Sequence, residues 1–469
     1  MTEPHTLFLA AIGLVCFLLG SQTLLVGLVV SSVFQAMAFT TIGEGPLIVY
    51  YFFGVLFIVR NGIDLLWQGA APTSFGERIF PLYWLLIFVV IATVGVLVLP
   101  LVFKGAMVYS PKLSIDDQYN NLTPLAFSSS HLNQLGQLLI NALIFLIVWI
   151  RKVPPQRFLE ALSWSFALTL VFAAWQIFAD LTGMYFPNDW LYTVSNWSIG
   201  NEQKFGAIAR INSVFLEPST LATYLVGFLA FLLVWWVKRP SWKLFFCLLL
   251  CLLCMVLTLS TTAYFGAVVI FAGVFLGFGV SQILSGGWIN KTLFGILCMT
   301  LVLAWLVLTI TAASSEVRDL LSFVLTEKDS SDSFQARFEA DLQSLEIVWR
   351  TYGLGLGLGG NRPSSFITLL LSNVGLFGLM SFLIFMASLS SAALARMKKI
   401  GNARLWVVSI AAVWALWATM GAKVLAQPDL SFAPLWVWTF FLASLCVCSS
   451  RTTPTGLSIH TLAIKPGRT

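Results

Sequence analysis

The chain has 469 residues, 58% of them hydrophobic and only 10% charged, with 39 Phe and 18 Trp. An ordinary soluble domain carries roughly 25% charged residues, so a fold solvated by water alone is excluded. The net charge of +6 does not mark a nucleic-acid binder in so apolar a chain.

Taken in chain order, apolar runs fall at 7–39, 46–59, 80–103, 132–150, 158–181, 219–237, 244–260, 262–283, 293–312, 365–391, 405–425 and 432–449. A bilayer core about 30 Å thick needs about 20 apolar residues per helix, because backbone groups in lipid must be satisfied within their own segment. The runs predict an all-α, polytopic integral membrane protein of about twelve transmembrane helices, or thirteen if the first run divides around Ser21, Gln22 and Thr23. No fixed-period repeat or soluble domain interrupts them, so residues 1–469 read as a single integral domain. Residues 1–6 contain no Lys or Arg, so no cleaved signal peptide is expected. Arg60, Arg78, Arg151, Lys152, Arg157, Lys238, Arg239, Lys243, Lys291, Arg396, Lys398, Lys399 and Arg404 crowd alternate loops, which the positive-inside rule assigns to the cytoplasm together with both termini. Loops 104–131, 182–218 and 313–364 then face outward.

All seven cysteines (Cys16, Cys247, Cys251, Cys254, Cys298, Cys446, Cys448) fall in predicted spans, so no disulfide framework is implied. Cys251 and Cys254 have metal-like spacing but no neighbouring His or carboxylate, and read as helix packing. Few ionisable residues lie inside the spans, which argues against a proton relay or an ion-coupled pathway.

Polar interest gathers at three places on the outer face. Arg210 precedes Glu217 and Pro218, and proline suits the first turn of a helix, so a helix begins there. In loop 313–364, Phe334, Phe338, Leu342, Leu345 and Trp349 recur at helical spacing, predicting an amphipathic surface helix over 332–350 on the membrane surface or the bundle top. Arg337 and Asp341 flank that stripe, and either point into a cavity or pair with each other one turn apart. Gly353, Gly355, Gly357, Gly359 and Gly360 then lead to Asn361, Arg362, Pro363, Ser364 and Ser365. This run lacks the strand context of a dinucleotide loop. It reads either as a flexible re-entry turn or, because Pro363 marks a second helix start beside Arg362, as part of an anion site. Helix N-termini present free N–H groups and partial positive charge, and arginine adds a donor fork matched to phosphate. Arg210 and Arg362 fit either a phosphate-bearing ligand or lipid headgroups and loop carboxylates.

These residues resemble the superfamily of O-antigen ligases and Wzy-type O-antigen and exopolysaccharide polymerases. The resemblance rests on Arg210 with Phe215, Glu217, Pro218, Ser219 and Ala222; on Leu257, Thr258, Ser260, Thr261 and Thr262; and on Gln335 and Arg337, the glycine run, Ser364 and Ser365, then Ser372, Asn373, Gly375, Leu376, Gly378 and Leu379. It covers roughly residues 200–390. It implies a fold like that of membrane-embedded C-type glycosyltransferases in the bacterial inner membrane. The active face would be periplasmic, the substrate an undecaprenyl-pyrophosphate-linked oligosaccharide, and no cofactor or nucleotide sugar would be used. The pathway's flippase and chain-length regulator are implied partners. A polymerase moves the growing glycan onto the next lipid-linked repeat unit, and a ligase moves it onto lipid A-core. Ligases carry a functional His in the large outer loop, whereas this chain's histidines are His5, His131 and His460, which favours the polymerase. A flippase or other transporter is the third reading.

The resemblance assigns Arg210 and Arg337 to the arginines that are the family's hallmark, with Arg362 after the glycine run. Together with Gly357, Gly359, Asn361 and Ser364 they form the expected pyrophosphate and glycan site. Stabilising charge on the leaving pyrophosphate would be the main catalytic effect. Glu217 is the expected base, and a carboxylate stabilising its own helix N-terminus is its alternative role. Glu339 with Asp341, and Asp116 with Asp117, read as solvated charges, so no metal is expected.

Overall fold

The computed structural model describes residues 4–42, 45–68, 79–109, 122–194, 204–205, 208–279, 295, 332–426 and 428–448. Helices dominate. They are α1 (Pro4–Leu19), α2 (Ser21–Ser31), α3 (Val49–Gln68), α4 (Phe80–Val102), α5 (Ser129–Arg151), α6 (Pro155–Thr182), α7 (Pro218–Lys238), α8 (Trp242–Leu257), α9 (Thr261–Val274, continued as a π-helical turn to Gly279), α10 (Asp332–Arg350), α11 (Phe366–Ile400), α12 (Ala403–Ala426) and α13 (Ala433–Val447). Among the described residues eight helices are long and apolar enough to cross a membrane, and α1, α2, α8 and α13 are shorter apolar helices. The bundle is that of a multi-pass membrane protein. Its outward residues, such as Leu86, Leu97 and Leu101 on α4 and Phe377 on α11, are apolar and exposed, as a lipid solvent requires.

Several boundaries differ from the hydropathy runs for local reasons. The run 7–39 breaks at Gly20, whose φ of 111° ends α1 and starts α2, and the second piece stops at Ser31. Helix α3 continues past residue 59 because Arg60 and Asp64 pair one turn apart at 3.3 Å, with Arg151 of α5 3.8 Å from the same carboxylate. The expected span 293–312 lies outside the described residues except for residue 295, as does loop 313–331. Among the described residues three two-stranded antiparallel hairpins, Ala38–Ile42 with Gly45–Ile48, Met107–Tyr109 with Leu122–Pro124, and Lys204–Phe205 with Ile208–Ala209, sit in the connections between helices.

At the centre stands α7, hydrophobic on all sides and therefore enclosed, with 83% of its spanning window buried against α8, α9 and α12. Helices α5, α7, α9, α11 and α13 all begin at one end of the bundle, here called the loop end. Lys238, Lys398, Lys399 and Arg404 lie at the other. Helix α11 is not continuous: at Gly375 the backbone turns to φ 71° and ψ −175°. The carbonyls freed by this break are taken by the glycine run. Leu356 N–H donates to Ser372 O at 2.9 Å, Gly357 N–H to Asn373 O at 2.9 Å, and Leu376 N–H to Gly353 O at 2.8 Å. Non-helical backbone at membrane depth persists only where protein or water satisfies it, and each irregular segment here supplies the other's partners.

Candidate functional site

The segment 210–217, which leads into α7, is held from three sides. Ile211 N–H donates to Leu257 O at 3.3 Å and Arg210 Nε to Thr258 O at 3.2 Å, tying it to the end of α8. Gln176 of α6 accepts from Asn212 N at 3.1 Å and Ser213 N at 2.8 Å through Oε1, and donates from Nε2 to Asn212 Oδ1 at 2.9 Å. Ser213 adopts φ 53°, a left-handed conformation costly for a non-glycine residue. It is fixed there by donation to Thr169 O at 2.9 Å and by the Tyr192 hydroxyl on its carbonyl at 2.6 Å. The segment is thus preset rather than free to adapt.

Glu217 occupies the N-cap of α7 with extended backbone, and Pro218 is the first helical residue. The Glu217 carboxylate does not cap the helix through a backbone N–H; it accepts from the Ser219 hydroxyl at 3.0 Å and stays half-buried. Burial pushes the Arg210 guanidinium below its ordinary pKa, Glu217 and Tyr264 oppose that shift, and Arg337 adds to it. Arg210, Glu217, Tyr264 and Arg337 therefore share one electrostatic neighbourhood. Arginine remains protonated at physiological pH, so two positive charges and one carboxylate lie within electrostatic reach of one another. Among the described residues Arg337 has no ion pair.

Arg337 is delivered by α10. Its neighbour one turn on, Asp341, does not form the alternative i,i+4 pair. The carboxylate instead accepts from Ser364 N at 3.0 Å, Ser364 Oγ at 2.8 Å, Ser365 N at 3.0 Å and Thr368 Oγ1 at 2.7 Å. The physical reason is the start of α11: its first N–H groups lack intrahelical acceptors and carry positive dipole charge, and a carboxylate satisfies both. Successive turns of α10 thus serve two elements, Arg337 within electrostatic reach of Arg210 and Asp341 pinning α11. Glu339, between them, is exposed and lies near Tyr109, whose phenol is raised by burial and by that carboxylate. The two acids are not a convergent pair.

Helix α10 buries Ala340, Ser344 and Ile347, and turns its apolar stripe outward: Phe338, Leu342, Leu345 and Trp349 are all exposed, Trp349 to 84%. Small and polar residues on the inner face allow contact with the glycine run, where Asn361 Nδ2 donates to Ser344 Oγ at 2.8 Å and Ser372 Oγ at 3.2 Å.

Of the expected ligand-binding residues, Gly357, Gly359 and Asn361 are enclosed in the framework. Gly357 has φ 89°, and a Cβ on it would lie 2.8 Å from the Gly95 carbonyl oxygen of α4; Gly359 passes equally close to Ser130 O at the start of α5. Asn361 Oδ1 accepts from Tyr109 N, and its own N–H donates to Asn373 Oδ1. The Ser364 hydroxyl is engaged by Asp341. Gly357, Asn361 and Ser364 thus make hydrogen bonds within the protein, and Gly359 packs against the start of α5. Arg362 is anchored by its backbone N–H on Tyr109 O at 3.1 Å and is half-buried.

Sequence reasoning did not single out Tyr264 or Gln176. Tyr264 lies one turn into α9 after the Thr258–Ser260 motif, and an amide inside the run 158–181 was the available signal for Gln176. Lys423 was also passed over within the run 405–425. It is fully buried, donates to Asp429 O at 2.6 Å and lies 4.8 and 4.7 Å from the ring centres of Phe366 and Phe432. His131 is buried beside the glycine run. Its Nδ1 accepts from Ser128 N at 3.2 Å, and its Nε2 has no hydrogen-bond partner among the described residues.

The chain matches no family model, and no curated protein matches it.

Proposed function

We propose that the protein is a metal-independent glycosyltransferase of the bacterial inner membrane. It is read as a Wzy-type polymerase of O-antigen or exopolysaccharide, working at the periplasmic face of a bundle of about twelve spans with both termini cytoplasmic. The observation that carries this reading is that Arg210, at the loop end, lies within electrostatic reach of both Glu217 and Arg337. Two guanidinium groups, one brought by a surface helix and lacking an ion pair among the described residues, are suited to a diphosphate. In the reaction the acceptor hydroxyl of the next lipid-linked repeat unit attacks the anomeric carbon of the growing chain. The bond from that carbon to the pyrophosphate oxygen breaks, the hydroxyl proton passes to Glu217, and undecaprenyl pyrophosphate departs. Arg210 and Arg337 stabilise the charge on the departing diphosphate, with Arg362, which follows the glycine run, as the third donor. Removing one such donor lowers rates by about 10²–10³-fold.

In a strain lacking the chromosomal copy, Arg210→Ala and Arg337→Ala are expected to leave protein abundance normal and to abolish long polysaccharide on gels. Unchanged chain length in both variants refutes the reading. Transfer to lipid A-core is the second reading, favoured by the buried His131 next to Gly359, whose Nε2 has no partner among the described residues. It predicts long undecaprenyl-linked polymer that never reaches lipid A-core when the protein is inactivated, whereas loss of a flippase leaves repeat units on the cytoplasmic leaflet.

A further inference from the structure

The outward half of α10 is divided between two stripes. Gln335, Glu339, Glu346 and Arg350 form a polar one, with Arg350 paired to Glu346 at 2.6 Å. Leu342, Leu345 and Trp349 form an apolar one about a quarter turn away round the helix, opposite the buried Ala340 and Ser344. A helix wholly in water has no use for the second stripe.

The helix descends beside α11 rather than lying across the bundle top. Asp341 meets Ser364, Ser365 and Thr368 at the start of α11, Ser344 bonds Asn361, and beyond the end of α10 Gly353 O accepts from Leu376 N–H at 2.8 Å. Arg396 is the innermost charge of α11, and about 20 residues, one hydrocarbon thickness, counted back from it reach Leu376. The end of α10 is therefore level with the edge of the hydrocarbon on the loop side. There Tyr352 and Leu354, on either side of Gly353, are exposed, as are Leu376 and Phe377 on the spanning helix. The apolar stripe of α10 is continuous with the lipid-facing surface of α11.

Tyr352 supplies a second observation. It closes α10 in the left-handed conformation, φ 53°, while Gly353 N–H reaches back to Val348 O at 2.8 Å. Glycine is the usual residue at that position, because a side chain is strained there. Here the strained position carries a tyrosine that is 89% exposed and so gains little from the protein. Tyr and Trp concentrate at membrane–water boundaries, ring toward the acyl chains and polar atom toward the headgroups, and the equally outward Trp349 lies one turn before.

We infer that the C-terminal half of α10, through Leu345, Trp349, Tyr352 and Leu354, is inserted at the headgroup–acyl boundary of the leaflet on the loop side, with Glu346 and Arg350 left in water. A partner protein seated on this stripe would also have to cover Leu376 and Phe377, which lipid already solvates. The inference stands apart from the glycosyltransferase reading and bears on it in one respect. Arg337 lies about three turns back along the same helix, so the anchor sets its height above the lipid.

The test uses the full-length protein in nanodiscs of phosphatidylethanolamine and phosphatidylglycerol. These carry a phospholipid with a diazirine either near the ester end of its acyl chain or at the methyl end, and labelled peptides are mapped after irradiation. The ester-end probe is expected to label residues 345–354. The methyl-end probe should label mid-span peptides of α4 around the exposed Val90 and leave 345–354 unlabelled. Leu345→Asp combined with Trp349→Asp should lose the labelling of 345–354 while α4 remains labelled, which reports an intact bundle. Absence of ester-end labelling at 345–354 means a stripe standing in water or covered by protein, and overturns the inference. Equal labelling of the segment by both probes, or undiminished labelling in the double variant, does so too. If the double variant does not fold, the two probes on the unmodified protein decide.

Discussion

Replacing Asp341 with alanine removes the one carboxylate on which the Ser364 and Ser365 N–H groups and the Ser364 and Thr368 hydroxyls converge. Hydrogen bonds to a charged acceptor contribute about 1.5–3 kcal/mol each, but the two hydroxyls can turn to water, so the two backbone donors dominate the loss. That amounts to about 3 kcal/mol, or about a hundredfold in the equilibrium for local opening at the start of α11. Hydrogen exchange in nanodiscs reads this directly: the amides of Ser364 and Ser365 should lose about two powers of ten in protection, and Asp341→Asn, which keeps one acceptor without the charge, about one. A double-mutant cycle with Arg337→Ala should return a coupling below about 0.5 kcal/mol, because no ion pair joins Arg337 to Asp341, whose carboxylate is taken by the start of α11. Unchanged exchange at Ser364 and Ser365, or a coupling well above that figure, refutes the capping role and restores the ion pair within α10.

Two further outcomes are expected. Gln176→Ala leaves the Asn212 and Ser213 N–H groups without their acceptor at about 1–3 kcal/mol; thermal melting should fall, and long polysaccharide should shorten even though residue 176 is outside the arginine cluster, while normal melting and chain length would show that segment 210–217 holds itself. Gly357→Ala puts a Cβ 2.8 Å from the Gly95 carbonyl at φ 89° and should destabilise by more than about 2 kcal/mol, read as lost folded yield, so full yield would mean the loop has room that its geometry denies.

Hydropathy made the helical bundle legible because lipid imposes one requirement on every span, and α4, α6, α7 and α12 lie within a few residues of their apolar runs. The break in α11 was not legible in that way: Gly375 sits inside an apolar run that hydropathy reads straight through, and only the paired irregularity at Gly353–Gly357 explains it. Periodicity located the stripe of α10 but not which face it buries, since Ala340 and Ser344 win the inner position by being small enough to pack on a glycine-rich backbone and Ile347 by joining Val108, Leu125 and Leu356. Arg210, Glu217 and Arg337 could be picked out singly by residue type and helix position. Their convergence depends on contacts from α6 and α8, and the roles of Gln176 and Asp341 are visible only once those chains meet.

The interlock of the glycine run with α11 also bears on how the polypeptide becomes a molecule. Its bonds to Ser372 and Asn373 join segments fewer than twenty residues apart, a contact of low sequence separation that costs little loop-closure entropy. Its approaches to Gly95 and Ser130 span more than two hundred residues. The same eight residues are a local fold and the bolt between early and late thirds of the chain. A length change there has no slack to absorb it, and because α10 is bonded to this backbone through Asn361 and Ser344, a slip of one residue in the run would shift α10, and Arg337 with it, against the segment that carries Arg210.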